Sequence, residues 1–135
     1  MQELSILILT FNSSHYILEC LQSIVHLYKK ELKNRSLEVV VVDNNSIDDT
    51  EKLTRSFIQT NKECNISFFQ NGSNLGFAKG INQGMTHTHG KFTIFLNPDA
   101  QVVNRDLFKM ADFMKKNPKA KITGAKMIDY SNNSE

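Results

Sequence analysis

The sequence has no tryptophan, only two cysteines and two prolines, and no long apolar run among its 135 residues. Cys20 and Cys64 lie 44 positions apart, without the paired spacing of a zinc or redox site, so we expect two reduced, mostly buried thiols. The apolar start at residues 4–9 is too short for a membrane helix and lacks the basic segment of a signal peptide. These absences predict a cytoplasmic protein.

An excess of charge of either sign is also missing. The 16 lysines and arginines nearly balance the 14 aspartates and glutamates, which leaves a net charge of +2. That balance provides no strong field to attract nucleic acid, so no nucleic-acid partner is expected. An apolar content of 40% and a charged content of 22% are typical of a soluble globular protein, and the length suits one domain.

Five short segments have the composition of buried strands. The second of them contains four consecutive valines, which are poor helix formers and common in central strands. Continuous apolar runs of this length are typical of strands that are covered on both faces. We predict strands at residues 4–9, 37–43, 66–70, 91–97 and 121–127.

Between these segments, apolar residues recur at helical spacing. The first helix is expected to be capped by Ser13 or Ser14, the third to end near Thr88, and the fourth to begin near Arg105. This alternation of strands and helices predicts an α/β fold. Its core would be a doubly wound, mainly parallel sheet with helices on both faces.

Polar side chains follow each of the first four predicted strands. Ligands of parallel sheets bind beyond the carboxyl ends of the strands, so these segments are expected to line a ligand-binding edge. Each segment taken alone could equally be an ordinary turn or helix cap, because turns favour the same residue types. The four segments are residues 10–12, 43–48, 71–76 and 97–99.

Two carboxylates in these segments suit the binding of a nucleotide diphosphate. Asp43, at the end of a central strand, can accept the imide N–H of a uracil or thymine ring, and guanine offers a comparable N–H. Asp99 follows Pro98, which restricts the turn, and it can act as an oxygen ligand for Mg²⁺ or Mn²⁺. Such a metal would neutralise charge that develops on a departing diphosphate.

Four segments, in this order, resemble the inverting glycosyltransferases of family 2, and most of all their bacterial rhamnosyltransferase-like members. They are TFN (10–12), VVVVDNNSIDDT (39–50), NLGFAKGINQG (74–84) and FLNPDA (95–100). The resemblance spans essentially the whole chain. It implies the GT-A fold, with its Rossmann-like nucleotide-binding half, and the transfer of a sugar from a nucleotide diphosphate to a hydroxyl acceptor in polysaccharide biosynthesis.

The resemblance also implies roles for particular residues. The segment after the first strand would touch the nucleobase, Asp43 would hold the base, and the last acid of the D-x-D motif, Asp99, would bind the metal. Gly80 and Asp48 match further positions of the family motifs. The nucleotide-binding residues implied in this way are Thr10, Phe11, Asn12, Asp43, Asn45, Ser46, Asn74, Gly76, Asn82 and Asn97.

The sequence departs from the family pattern in two ways. Asn97 stands at the first acid position of the D-x-D motif, a form that occurs in the rhamnosyltransferase-like branch, and contributes no charge there. Family members also continue into an acceptor-binding half that carries the catalytic base. We therefore expect residues 1–128 to be the donor-binding part and residues 129–135 a polar tail at a truncation point. The base is expected beyond residue 135, so the fragment alone would be inactive.

The resemblance implies four partners: a UDP- or dTDP-sugar donor, a divalent metal (Mg²⁺ or Mn²⁺), a glycan acceptor, and the inner face of the membrane for a full-length protein. A non-catalytic nucleotide- or sugar-binding module is the main alternative. An unrelated flavodoxin-like receiver or carrier domain is a second one, although it would be favoured by an acidic cluster after the first strand, where this sequence has Thr10-Phe11-Asn12.

Overall fold

The computed structural model describes residues 2–128, which belong to two compact units. The first unit ends at Arg105 and the second begins at Asp106. The first unit contains β1 (Leu4–Thr10), α1 (Ile17–Lys33), β2 (Leu37–Asp43), α2 (Thr50–Thr60), β3 (Ile66–Gln70), α3 (Phe77–Met85) and β4 (Phe92–Phe95). The second contains α4 (Leu107–Lys116). None of the helices in residues 2–128 has the length and apolarity needed to span a lipid bilayer.

The four strands form one sheet in the order β3-β2-β1-β4, and every neighbouring pair is parallel. This confirms the predicted α/β fold with a parallel sheet. Parallel neighbours require a crossover between them, and the helices provide those crossovers. The central strands β1 and β2 are almost completely buried, as their continuous apolar sequences predict.

Helix α3 packs unusually close to one face of the sheet because two glycines face β1 and β2. A Cβ atom at Gly80 would lie 2.8 Å from a methyl carbon of Leu9, and one at Gly84 would lie 2.6 Å from a methyl carbon of Leu7. Alternate residues of a strand point to opposite faces. Ile8, between Leu7 and Leu9, therefore points to the opposite face of the sheet, where it is fully buried.

The fifth predicted strand is wrong. Residues 121–128 form no strand, and Ile122 and Met127 are 91% and 92% exposed. An apolar, β-branched composition favours a strand only where a neighbouring strand offers hydrogen bonds and an apolar face offers burial. Within the part of the chain that the structure describes, this segment has neither.

The ends of three helices also differ from their predictions. Tyr16 occupies the N-cap of α1 without a side-chain cap bond; the Ser13 carbonyl accepts the N–H groups of Tyr16 and Ile17 instead. Helix α3 ends at Met85, three residues before the expected end, and α4 begins at Leu107. Sequence patterns place helix ends less well than helix centres, because local hydrogen bonds decide the last turn.

Candidate functional site

The carboxyl ends of the strands form one edge of the sheet, which we call the carboxyl edge. Thr10 at the end of β1 pairs with Asp43 at the end of β2, and Asp43 pairs with Gln70 at the end of β3. Leu96, just after β4, donates its N–H to the Leu7 carbonyl of β1 at 3.0 Å. The four polar segments predicted from the sequence therefore begin at the same edge.

The Asp43 carboxylate is the centre of the hydrogen bonds at this edge. Its Oδ1 accepts the hydroxyls of Thr10 at 2.7 Å and Ser46 at 2.6 Å. Its Oδ2 accepts the backbone N–H of Ser46 at 2.8 Å and lies 3.5 Å from Nε2 of Gln70. The side chain is 0% exposed, so these donors offset the cost of burying it.

This geometry gives Asp43 a structural role at the edge, and its expected contact with a nucleobase stays a prediction. Oδ1 accepts two close donors, whereas Oδ2 accepts one close donor and has Gln70 only at 3.5 Å, so the acceptor capacity that is left for a nucleobase N–H is on Oδ2. Asp43 also joins the end of β1 to the loop after β2, through Thr10 and Ser46. Asp43 therefore holds the two loops of the carboxyl edge in position from the buried side.

Asn12 clamps the same two loops together at the surface. Its backbone N–H donates to the Ser46 hydroxyl at 2.8 Å, and its side-chain Oδ1 accepts the backbone N–H of Ile47 at 3.0 Å. Asn12 has a φ of 49° and Asn45 a φ of 62°, a left-handed conformation that asparagine tolerates better than most residues. The clamp leaves Phe11 48% exposed and Asn45 exposed beside it.

A second set of hydrogen bonds joins the same loops one turn further along the chain. The Asp48 carboxylate accepts the backbone N–H of Ser14 at 3.1 Å and both the N–H and hydroxyl of Thr50. The Thr50 hydroxyl also accepts the N–H of Ser13 at 2.8 Å. Burial alone would raise the pKa of Asp48, but the hydrogen bonds from Thr50 and Ser14 lower it to about 2.

Asn44 is a central residue of the edge that sequence reasoning did not select. It is buried; its N–H donates to the Thr10 carbonyl at 2.8 Å and its Nδ2 to the Gly76 carbonyl at 3.1 Å. Its Oδ1 accepts Nδ2 of Asn71 at 2.9 Å. Asn44 thus ties β1 to the start of α3. Its position directly after Asp43, in the sequence DNNS, was the available signal.

The segment before α3 places two of the three predicted residues at the edge. The side chain of Asn74 accepts the N–H of Gly76 at 2.9 Å, and Gly76, at a φ of 75°, is the N-cap of α3. Such a φ favours glycine. Asn82 does not join them: it is exposed and lies about 200° around the helix from Gly80, which faces the sheet.

Asn97, Pro98 and Asp99 form a tight turn after β4. The N–H of Ala100 donates to the Asn97 carbonyl at 3.1 Å, which closes the turn, and both Asn97 and Asp99 are exposed. The Cys20 thiol of α1 lies beneath, 3.8 Å from the Asn97 carbonyl. Burial, and then the charge of Asp99, raise the pKa of Cys20 to about 12.

The side-chain oxygen atoms at this turn are suitable ligands for a divalent metal that is bound mainly through a phosphate substrate. Asp99 is an exposed carboxylate on a closed turn, and residues 2–128 contain no cluster of three or more acidic, histidine or cysteine side chains that could enclose an ion. Mg²⁺ is usually bound by one or two carboxylates plus substrate phosphates and water. Asp99 is suited to that arrangement, with Asn97 beside it as a neutral hydrogen-bonding group.

Comparison with known proteins gives relatives that transfer sugars. The chain is 30% identical over 88 residues to a dolichyl-phosphate beta-glucosyltransferase of Dictyostelium discoideum; the match covers 65% of this chain and 27% of that protein. It is also 30% identical over 112 residues to the poly(ribitol-phosphate) beta-N-acetylglucosaminyltransferase TarS of Staphylococcus aureus, a match that covers 82% of this chain and 18% of TarS. The chain thus spans less than a third of either relative.

Solved structures of two transferases have the same fold. A crystal structure of S. aureus TarS in complex with UDP-GlcNAc superposes with a TM-score of 0.70 at 28% identity, over 87% of this chain and 32% of that one. The mannosyltransferase PcManGT from Pyrobaculum calidifontis, in complex with GDP-Man and Mn²⁺, superposes with a TM-score of 0.72 at 26% identity, over 84% of this chain and 31% of that one.

The model of one family, Glycosyl transferase family 2, matches residues 5–135, which is nearly the whole chain. This match agrees with the parallel sheet, with the polar groups at its carboxyl edge and with the transferases that share the fold. The chain belongs to glycosyltransferase family 2.

Proposed function

We propose that this chain binds a nucleotide-diphosphate sugar at the carboxyl edge and serves as the donor-binding part of an inverting glycosyltransferase. The observation that carries the proposal is the arrangement of two features on one sheet. The clamped loops after β1 and β2 present Phe11, Asn12 and Asn45, and the closed turn after β4 presents Asp99. One face can therefore receive a base at one end and a metal-bound diphosphate at the other.

The base end is formed by the loops that Asn12 and Asp43 hold together. The exposed ring of Phe11 offers a surface on which a base can stack, and Asn45 offers hydrogen-bonding groups beside it. Thr10, Asp43 and Ser46 fix these loops in place. We propose a UDP- or dTDP-sugar as the donor, and UDP-GlcNAc binding by TarS supports a uracil base.

The diphosphate end is formed by Asn97 and Asp99. We propose that Asp99 holds Mg²⁺ or Mn²⁺ and that the Asn97 amide contacts the donor sugar or ribose. A divalent ion bound there would neutralise charge on the leaving diphosphate. The presence of Mn²⁺ and GDP-Man in the PcManGT structure supports this assignment. The positive end of α3, which begins after Gly76, adds a favourable field for phosphate at the same edge.

The acceptor side of the reaction is a further part of the proposal. An inverting transfer needs a base that takes a proton from the acceptor hydroxyl as that hydroxyl attacks the anomeric carbon. No residue among the described residues 2–128 is assigned this role; Asp129 lies outside them, and no role is assigned to it either. We also propose that the acceptor is a glycan and that the full-length protein acts at the inner face of the membrane. Both proposals rest on the pattern of the family.

The experiment that tests the donor site is a thermal-shift panel on the chain with UDP, dTDP, GDP, ADP and CDP, each with and without Mn²⁺. A ligand at about 100 times its dissociation constant adds about 2.7 kcal/mol to the stability of the folded protein, which shifts the melting temperature by several degrees at this size. We expect the largest shift with UDP or dTDP, and a larger shift with Mn²⁺ than without.

The other outcomes decide between alternatives. A shift with nucleotide but none added by Mn²⁺ would contradict the metal site and favour a non-catalytic nucleotide-binding module. A shift with GDP alone would contradict the proposed donor base. No shift with any nucleotide would contradict donor binding by this chain.

A further inference from the structure

The segment after the Asn97–Asp99 turn runs along α1 and contacts it at nearly every step. We call residues 100–105 the strap. Gln101 donates from its Nε2 to Oε2 of Glu19 at 3.0 Å, and the Asn104 carbonyl accepts the hydroxyl of Tyr28 at 3.1 Å. Arg105 donates to the Leu27 carbonyl and pairs with Glu31. The strap therefore follows α1 in the same direction as the helix.

After Asp99, Ser23 makes the contact between α1 and the backbone of the strap that is nearest in sequence to the turn. Its hydroxyl accepts the backbone N–H of Val102 at 3.0 Å and donates to the Cys20 carbonyl at 2.7 Å. A serine hydroxyl can do both at once because it carries one proton and two lone pairs. It thereby joins the backbone of α1 to the backbone of the strap, three residues beyond Asp99.

The turn that carries Asp99 is therefore held on both sides. Before the turn, the N–H of Leu96 donates to the carbonyl of Leu7 in β1 at 3.0 Å. After it, the N–H of Val102 is held by Ser23. Between these anchors, the hydrogen bond from the Ala100 N–H to the Asn97 carbonyl closes the turn, and the ring of Pro98 fixes the φ of that residue. The exposed Asp99 carboxylate thus stands on a backbone with little freedom.

We infer that Ser23 is a positioning residue for Asp99, and that its hydroxyl sets the affinity of the site for the metal; this inference rests on the proposed function. A single protein carboxylate binds a metal well only if its backbone is already in place, since otherwise binding must also order the turn. Ser23 touches neither the metal nor the donor. Its effect reaches them through Val102 and the strap.

The test is a titration of MnCl₂ into the chain at saturating UDP, with UDP binding without metal measured beside it. We expect Ser23→Ala to weaken Mn²⁺ binding about tenfold, as the loss of a supporting group around a metal typically does. UDP binding without metal should change less than twofold. Ser23→Thr keeps the hydroxyl and should restore Mn²⁺ binding, while Ser56→Ala, at an exposed position of α2, is the matched control.

A purely structural role for Ser23 predicts a different result: a lower melting temperature for Ser23→Ala with unchanged Mn²⁺ affinity. That result would overturn the inference. Amide exchange provides a readout that needs no ligand, because loosening the strap should lower the protection of the Ala100 N–H. If wild-type protein shows no Mn²⁺-dependent UDP binding, the proposed function fails, and this exchange measurement still decides whether Ser23 holds the turn. Unchanged protection at Ala100 would then reject the inference.

Discussion

Ser46 donates two hydrogen bonds to the Asp43 carboxylate, one from its hydroxyl to Oδ1 at 2.6 Å and one from its backbone N–H to Oδ2 at 2.8 Å. This pairing fixes the first residues of the loop after β2. A hydroxyl can rotate and accept a hydrogen bond in place of donating one, but a backbone N–H can only donate. The Oδ2 position therefore has to remain an oxygen if the loop is to keep its shape.

This relationship predicts the effects of two substitutions at Asp43. Asp43→Asn can keep an oxygen at Oδ2 while its NH₂ group faces the hydroxyls of Thr10 and Ser46, so we expect a loss of about 1–3 kcal/mol in the free energy of unfolding. Asp43→Ala leaves buried donors unpaired and should cost more. Urea unfolding of both variants, with UDP affinity measured beside it, checks the prediction. If Asp43→Asn kept full stability but lost UDP binding, a direct contact with the base would be indicated instead.

Removal of the proposed metal ligand should affect binding and leave folding unchanged. Asp99 is exposed, so Asp99→Asn should change the free energy of unfolding by less than about 0.5 kcal/mol. We expect the same substitution to abolish the extra thermal shift that Mn²⁺ adds to UDP. Asp112→Asn, at an exposed acid of α4, is the matched control and should retain that shift. If Mn²⁺ added the same thermal shift to both variants, Asp99 would not be a ligand of the metal.

Gly90 lies where the chain approaches β1 too closely for a side chain. A Cβ atom there would be 2.5 Å from the backbone nitrogen of Ser5 and 2.6 Å from its Oγ. Backbone atoms of a central strand cannot move aside cheaply, so Gly90→Ala should destabilise the fold by about 1–3 kcal/mol. Gly72→Ala meets no atom within 4 Å and should be nearly neutral. Chemical denaturation of the two variants measures the difference in their free energies of unfolding. Equal values would contradict the close approach of Gly90 to β1.

The same region contains a carboxylate that should make stability depend on pH. Glu38, with a side chain 7% exposed, accepts the Ser5 hydroxyl at 2.6 Å, the His89 N–H and Nε2 of Gln2. Burial alone would raise the pKa of Glu38, but the hydrogen bonds from Ser5 and His89 hold it below its usual 4.5. Its stabilising contribution is therefore complete above about pH 4.5 and is lost as the pH falls through the lowered value.

Urea unfolding from pH 7 to pH 3 tests this contribution. Wild-type stability should fall more steeply below pH 4.5 than that of Glu38→Gln, which has no proton to gain. Asp48, whose pKa is also lowered, is present in both proteins and cancels from the comparison. Parallel curves for the two proteins would exclude Glu38 as the source.

The sequence was sufficient to predict the four strands and the edge at which the polar groups collect. Continuous apolar runs identified β1 and β2, because only strands covered on both faces tolerate them. The fifth strand was predicted from the same local signal and does not form in the described residues. A strand also needs a partner to pair with, and composition carries no information about that partner.

The positions of the site residues were more predictable than the directions of their side chains. Asp43 was expected to contact a ligand; the sequence did not show that its carboxylate is also buried and held by hydroxyls from β1 and from its own loop. That convergence exists only once the strands are paired. Asn82 is a different case: its angle around α3 relative to Gly80 could have been read from helical periodicity alone.

The strand order has a consequence for the size of the molecule that this edge can measure. Because β1 lies between β2 and β4, the loop after β2, which carries Asn45, and the Asp99 turn begin on strands that are two spacings, about 10 Å, apart. The hydrogen bonds of the sheet fix this distance between the two strand ends, whatever the sequence of the loops. A nucleoside monophosphate bound at the proposed base end would not extend to the Asp99 turn. We therefore expect UMP to compete with UDP for the base end without recruiting the metal.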